Sequence, residues 1–254
     1  MRIVTSPEEL QKILLEHKRA HQSIGFVPTM GALHEGHLSL VKKSCAENDV
    51  TVLSIFVNPT QFNNPADFEK YPRTFDVDLE QLRDTPVDYV FAPDRSDLYP
   101  DEYNYSVSER DKNKVLCGET RPGHFEGVLT IILKLLHITQ ASRIYLGEKD
   151  YQQLEIIRGM TRAFFIPTQV IGCATVRDSK GLALSSRNQR LSPKGIDRAR
   201  RFAKLLTVRK ALPEIREALI KEGIQVDYLE ELWGRRFAAV FIDDVRLIDN
   251  VAVS

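Results

Sequence analysis

The sequence predicts an α/β protein: a Rossmann-like, doubly wound parallel sheet followed by a small C-terminal α+β lid domain. Three observations carry that expectation. Apolar, β-branched runs alternate with helical patterns from residue 24 to residue 171, which is the signature of repeated βα units. Residues 51–57 are almost continuously apolar, as in a parallel strand covered on both faces. Beyond residue 176 the alternation stops, and a helix is followed by strand-like runs alone. The boundary is therefore drawn between a sheet domain, 1–176, and a lid domain, 177–254.

Each element has a local reason. Ser6 can cap a helix, Pro7 suits its first position and Glu9 completes a capping box, so a helix is expected to about Lys18. Residues 24–27 read as a strand stopped by Pro28, followed by a Gly-containing turn, a helix over 37–46 and the strand 51–57. That is one βαβ unit. The pattern continues with a helix at 76–83, a strand at 89–91, a helix at 125–137, a strand at 143–146, a helix at 151–164 and a strand at 169–171. In the lid, a polar loop over 177–188 leads to the Ser192-Pro193 cap, a basic helix at 194–206, and β-like runs at 226–229, 237–242 and 245–248.

Composition narrows the function. The 254 residues carry 35 Lys+Arg and 35 Asp+Glu, a formal net charge of zero. A nucleic-acid or anionic-membrane surface needs a cationic surplus that this chain lacks as a whole. The most apolar stretch, 127–136, is broken by Lys134 and falls far short of the roughly 20 residues that span a bilayer. No apolar segment follows the N-terminal Arg2, so no secretory signal is expected. Cys45, Cys117 and Cys173 form no CxxC pair and suit free thiols in a reducing cytoplasm.

Four constellations carry chemistry. In 28–37, PTMGALHEGH, a strand gives way to a helix whose N-terminal N–H groups and dipole favour phosphate. Gly31 and Gly36 admit a close ligand, and His34 and His37, three residues apart, point the same way. The pair also admits a structural role, and His34-Glu35-Gly36-His37 falls one residue short of HExxH, so no protein metal site is expected. In 147–153, GEKDYQQ, Lys149 can hold phosphate and Asp150 can cap the next helix, or the turn is simply solvated. In 184–188, LSSRN, two hydroxyls flank an arginine on a loop able to fold over a polyphosphate. In 56–62, FVNPTQF, Asn58 and Gln61 can fix a small polar substrate, with Tyr71 in YPRT close behind. The segment 121–125, RPGHF, supplies a further cation or caps the following helix.

Together, PTMGALHEGH, IFVNPTQF, YPRT, RPGHFEGV, GEKDYQQL, GLALSSRN and RLIDN at 246–250 resemble the pantothenate synthetase (pantoate–β-alanine ligase) family. This family sits in the nucleotidylyltransferase superfamily, whose HIGH-type signature class I aminoacyl-tRNA synthetases share. The resemblance implies an ATP-dependent ligation in which pantoate and ATP give pantoyl adenylate and pyrophosphate, and β-alanine then displaces AMP. It implies a nucleotide site of Met30, Gly31, Ala32, Leu33, His34, Glu35, Gly36 and His37, with Gly147, Glu148, Lys149, Asp150, Val176, Leu184, Ser185, Ser186 and Arg187. His37 would be the proton donor, His34 would help hold the phosphates, and Lys149, Ser185 and Arg187 would grip them. Gln61 and Gln153 would hold pantoate, with Gln61 also near β-alanine. Mg²⁺ would arrive with ATP, and the protein would work as a cytoplasmic homodimer. Leu184 stands where the family usually has Met, and the C-terminal region is shorter than the family norm. The competing expectation is a nucleotidylyltransferase that joins a nucleotide to a phosphorylated acceptor; it shares the HxGH signature and leaves FVNPTQF and GEKDYQQ without a role.

Overall fold

In the computed structural model, which describes residues 1–253, the chain runs β1 (Arg2–Val4), α1 (Pro7–Arg19), β2 (Ile24–Thr29), α2 (Glu35–Glu47), β3 (Val50–Ile55), α3 (Pro65–Glu69), α4 (Phe75–Leu82), β4 (Tyr89–Phe91) and α5 (Arg95–Leu98). It continues through α6 (Cys117–Thr120), α7 (His124–Thr139), β5 (Arg143–Gly147), α8 (Tyr151–Ala163) and β6 (Gln169–Cys173). The C-terminal part contains α9 (Pro193–Leu206), α10 (Leu212–Lys221), β7 (Gln225–Leu232), β8 (Arg235–Ile242) and β9 (Val245–Ala252).

Strands β1 to β6 form one parallel sheet in the order β1-β4-β3-β2-β5-β6. Strand β2 sits between β3 and β5, so the chain winds outward in one direction from β2 and then returns to its other side. The crevice at the carboxyl ends of β2 and β5 is the topological switch point, where open α/β sheets bind ligands. Side chains alternate across the sheet: Ile24 and Phe26 pack with α1, α7 and α8, whereas Val27 and Leu53 pack with Leu38 and Val41 of α2 and Leu82 of α4. Both faces are thereby covered, which explains the unbroken apolar reading of the central strands.

The C-terminal strands form a separate antiparallel sheet, β7-β8-β9. Its two hairpins turn through Trp233-Gly234 and Asp243-Asp244, all with positive φ, the geometry of type I′ turns, whose twist matches the strands. One face packs under α9 and α10 around Phe202, Ile215 and Val240. Through the other, Tyr228, Phe237 and Ala239 join the core of the parallel sheet.

Several local expectations are corrected. Strand β3 ends at Ile55 rather than 57. Ser6 does cap α1 by accepting from the Glu9 amide (3.1 Å), but the Glu9 side chain pairs with Arg2 (2.5 Å) instead of closing the box. Asp150 precedes α8 without a side-chain capping bond; its carboxylate faces Lys149 Nζ at 3.4 Å. Five labelled elements had no sequence expectation: the edge strand β1, the short helices α3, α5 and α6, and helix α10.

Candidate active site

A cleft of about 630 Å³ opens at the carboxyl ends of β2 and β5 and is closed on its far side by the C-terminal part. Its floor is set by the turn after β2. Gly31 (φ +75°) and Ala32 (φ +48°) adopt the left-handed conformation, and a Cβ on Gly31 would lie 3.0 Å from an Asp78 oxygen. The Ala32 and Leu33 amides donate to the two Asp78 carboxylate oxygens at 2.9 and 2.7 Å. Thr74 adds a third donor to that carboxylate at 3.3 Å. Asp78 is 1% exposed; it ties the turn to α4 as an acceptor of backbone donors, the arrangement that lets a carboxylate lie buried. Nothing in the sequence marked it, because a lone aspartate in a short helix reads as solvated, whereas here it lies on the buried face of α4 with Leu82.

His34 occupies the N-cap of α2, and its Nδ1 accepts from the Gly36 amide (3.1 Å). An acceptor at Nδ1 fixes the neutral tautomer with the proton on Nε2. Gly36 is required here, since a Cβ would approach the His34 ring to 2.7 Å. The His37 ring stacks on His34 with centroids 4.1 Å apart. Burial and the neighbouring Lys149 lower the His34 pKa to about 4, and burial with His34 and Lys149 lowers that of His37 to about 3. Both are neutral at rest. Nδ1 of His37 is buried and has no hydrogen-bond partner, so the protein does not lock its tautomer.

The turn after β5 contributes Gly147, Lys149 and Asp150. Asn250 of β9 donates from its amide nitrogen to the Glu148 and Lys149 carbonyls, 2.9 Å each. Asp249 beside it, 3% exposed, takes a two-pronged ion pair from Arg177 (2.6 and 2.9 Å). The RLIDN segment thus fastens the lysine turn and the 177–188 loop to the C-terminal sheet, a role the motif alone did not reveal. In that loop the Leu184 amide donates to the Val176 carbonyl (2.9 Å). Ser185 caps a 3₁₀ turn over Ser186–Arg190, and the Ser186 hydroxyl donates to the Ala32 carbonyl (2.9 Å), closing the loop onto the β2 turn. Asp67 of α3 bridges Arg187 (2.9 Å) and Arg190 (2.7 Å). Burial opposes ionisation of Asp67, but the two guanidiniums outweigh it and hold its carboxyl below the usual range. Arg187 also lies over the Tyr71 ring, 5.5 Å from its centroid.

The opposite wall is built on a 3₁₀ turn over Pro59–Gln61, pressed against α7. That approach requires Gly127, whose Cβ would come within 2.4 Å of the Thr60 carbonyl oxygen. Asn58 is 1% exposed. Its amide nitrogen donates to Gln61 Oε1 (3.1 Å) and the Gly127 carbonyl (3.2 Å), while its oxygen accepts from Thr60 (3.0 Å) and Tyr99 (2.8 Å). With its donors and acceptors engaged within the wall, Asn58 borders the cleft and orients Gln61. Gln61 Nε2 faces Met30 Sδ at 3.1 Å. His124 Nδ1 donates to the Gln61 carbonyl (2.8 Å), and its Nε2 accepts from Arg121 (3.0 Å). Burial and Arg121 lower the His124 pKa to about 3.

The expected residues therefore divide. Met30, His34, Gly36, His37, Lys149 and Arg187 converge on the cleft, together with Gly147, Asp150, Val176 and the 184–186 loop, and with Gln61, Gln153 and Tyr71 on the facing side. Ala32 and Leu33 are each 2% exposed, with their amides on Asp78; Gly31 shapes the same turn. Glu35 is exposed and, like Glu148, lies outside the cleft lining.

The Pantoate-beta-alanine ligase family matches residues 2–252. Pantothenate synthetase of Coxiella burnetii (strain Dugway 5J108-111) is 51% identical over 90% of this chain and 89% of its own. That of Legionella pneumophila (strain Corby) is 51% identical over 90% of each. The fold superposes on pantoate-beta-alanine ligase of Francisella tularensis, solved with beta-gamma ATP and beta-alanine, with a TM-score of 0.95 at 43% identity, covering 99% of this chain and 97% of that one. It matches pantothenate synthetase of Thermus thermophilus with a TM-score of 0.90 at 36% identity over 99% of both. Against these relatives the C-terminal region is not short. Sequence, sheet order and the cleft at the switch point agree: this chain belongs to the pantoate–β-alanine ligase family.

Proposed function

We propose that the chain condenses pantoate with β-alanine to give pantothenate, consuming ATP and releasing AMP and pyrophosphate. The observation that carries this reading is the convergence of His34, His37, Lys149 and Arg187 opposite Gln61 and Gln153 in one cleft at the switch point. In the first step a pantoate carboxylate oxygen attacks the α-phosphorus. The new P–O bond forms as the bridge to the β-phosphate breaks, and pyrophosphate leaves with the electron pair. In the second step the neutral amine of β-alanine attacks the acyl carbon, the bond to the AMP oxygen breaks, and the nitrogen sheds a proton.

The charge that builds on phosphorus is met by cations and N–H donors held in place beforehand, which lowers the barrier without a covalent enzyme intermediate. His34 presents its Nε2–H because Nδ1 is held by Gly36. His37 acts as proton donor: an arriving polyphosphate raises the affinity of both rings for protons, so donation strengthens as negative charge grows. Lys149, Ser185 and Arg187 hold the phosphates, with Arg187 exchanging its Asp67 partner for them. Gln61 and Gln153 hold pantoate, and Tyr71 walls the pocket. Among the described residues no group of three or more His, Cys, Asp or Glu is placed to hold a metal ion. Mg²⁺ would arrive with the triphosphate; Asp150, whose carboxylate borders the cleft, would help to hold it, and the ion would supply neutralisation of phosphate charge. Residues 1–176 serve as the nucleotide- and pantoate-binding domain and 177–254 as the lid. A cytoplasmic homodimer belongs to the same reading on the family resemblance alone.

Labelled pyrophosphate should exchange into ATP when pantoate is present and β-alanine absent. No exchange with protein that forms pantothenate would remove the adenylate step, and exchange driven by a phosphorylated acceptor would favour the nucleotidylyltransferase alternative.

A further inference from the structure

Arg121 follows α6 and reaches into the cleft between the Gln61 wall and the C-terminal sheet. Its guanidinium donates to the Asn63 side-chain oxygen (3.2 Å), the Gln61 carbonyl (3.3 Å) and His124 Nε2 (3.0 Å). All three acceptors are neutral. The other arginines here have carboxylates: Arg187 and Arg190 share Asp67, and Arg246 pairs with Asp227 at 2.9 Å. Burial, with the fields of Arg187 and Arg246, lowers the Arg121 pKa to about 10, so the group remains cationic at neutral pH. A half-buried cation whose hydrogen-bond acceptors are all neutral is a costly arrangement unless a ligand completes it.

We propose that Arg121 binds the carboxylate of β-alanine, the acceptor in the ligation; the inference rests on the function proposed above. Three anionic groups enter this cleft. The triphosphate has Lys149, Arg187 and the histidines. The pantoate carboxylate is the nucleophile of the first step, and a guanidinium clamped on it would stabilise it against attack. The carboxylate of β-alanine is the one anion unchanged from substrate to product, so a fixed cation serves it throughout. A guanidinium has five N–H donors, and three are engaged. The two that remain lie one on each terminal nitrogen, a set that a carboxylate takes in two-pronged fashion. His124 holds the plane of the fork. Because Arg121 also grips the Gln61 carbonyl, the acceptor is seated beside the residue that holds pantoate, and its amine, three bonds from the carboxylate carbon, faces the acyl group.

The test compares β-alanine with β-alaninamide, which keeps the amine and loses the anion, in the wild-type protein, Arg121→Lys and Arg121→Gln. Pantoate-dependent pyrophosphate exchange without any acceptor is followed in parallel. Wild type should prefer β-alanine by kcat/KM. Arg121→Gln should raise the KM for β-alanine roughly 10- to 100-fold, the effect of losing hydrogen bonds between charged partners. It should also collapse the preference over the amide, while exchange changes far less. Arg121→Lys should recover part of the preference, since it restores the charge without the fork. If exchange falls as far as ligation, Arg121 merely supports Gln61 and the proposal is overturned. Should Arg121→Gln fail to fold, the wild type decides alone: equal kcat/KM for the two acceptors overturns it. Absence of exchange in the wild-type protein would instead count against the adenylate chemistry.

Discussion

His34, His37 and His124 share one property: burial keeps each imidazole neutral at pH values where an exposed histidine is charged. For the first two this leaves a donor that a polyphosphate can charge; for His124 it preserves the acceptor at Nε2 that Arg121 needs. The sign of the stability effect follows. An unfolded histidine takes up its proton near pH 6.5, whereas these remain neutral down to about 4, 3 and 3. In that window the unfolded chain binds more protons, so stability is fully present above pH 6.5 and falls on acidification, by up to about 1.4 kcal/mol per pH unit for each histidine. Melting temperature should therefore drop between pH 7.5 and 5.0, above the range where paired carboxylates titrate, and His124→Gln should make the drop shallower. A flat profile would mean that the rings are already charged or solvated. At this scale the sequence was informative where chemistry announces itself in a motif, as at His34, His37, Lys149 and Arg187. It was silent on Asp78 and Asp67, whose importance comes from partners 45 and 120 residues away.

Secondary-structure elements were legible where one local signal sufficed. Strand β4 and helix α8 begin where expected because a β-branched, aromatic run and a strand-to-helix turn mark them. Strand β1 has three residues and derives its identity from pairing with β4, which no local pattern reports. Helix α10 follows Ala211 with no side-chain cap, so its start carried none of the usual polar signal. The approach of α7 to the Pro59–Gln61 turn is equally non-local, and it has a direct test. Gly127→Ala would place a Cβ 2.4 Å from the Thr60 oxygen and 2.6 Å from the Gln61 nitrogen. Overpacking of this kind costs about 1–3 kcal/mol, so the melting temperature should fall. The KM for pantoate should rise as Gln61 is displaced; an unchanged KM would separate Gln61 from pantoate binding.

Across the whole molecule, the sheet order turns four short motifs, spread over 160 residues of sequence, into one cleft. The alternation of βα units was enough to place ligands outside the carboxyl ends of the strands, whereas the strand order that sets the switch point came only from the structure. The way the C-terminal part fastens on was not foreseeable. Tyr228, Phe237 and Ala239 join the main core, and Asn250 holds the carbonyls of the lysine turn; both depend on tertiary placement of residues with no local signature. Zero net charge argued against an extended polyanion surface and left room for a cleft that carries Arg121, Lys149 and Arg187 on its walls. The central claim is that one oxygen of pantoate becomes bonded to the α-phosphorus. Pantoate labelled with ¹⁸O in its carboxylate should, over a full turnover with ATP and β-alanine, deliver one labelled oxygen to AMP, read by mass spectrometry. Label in inorganic phosphate or pyrophosphate, with none in AMP, would contradict the adenylate route.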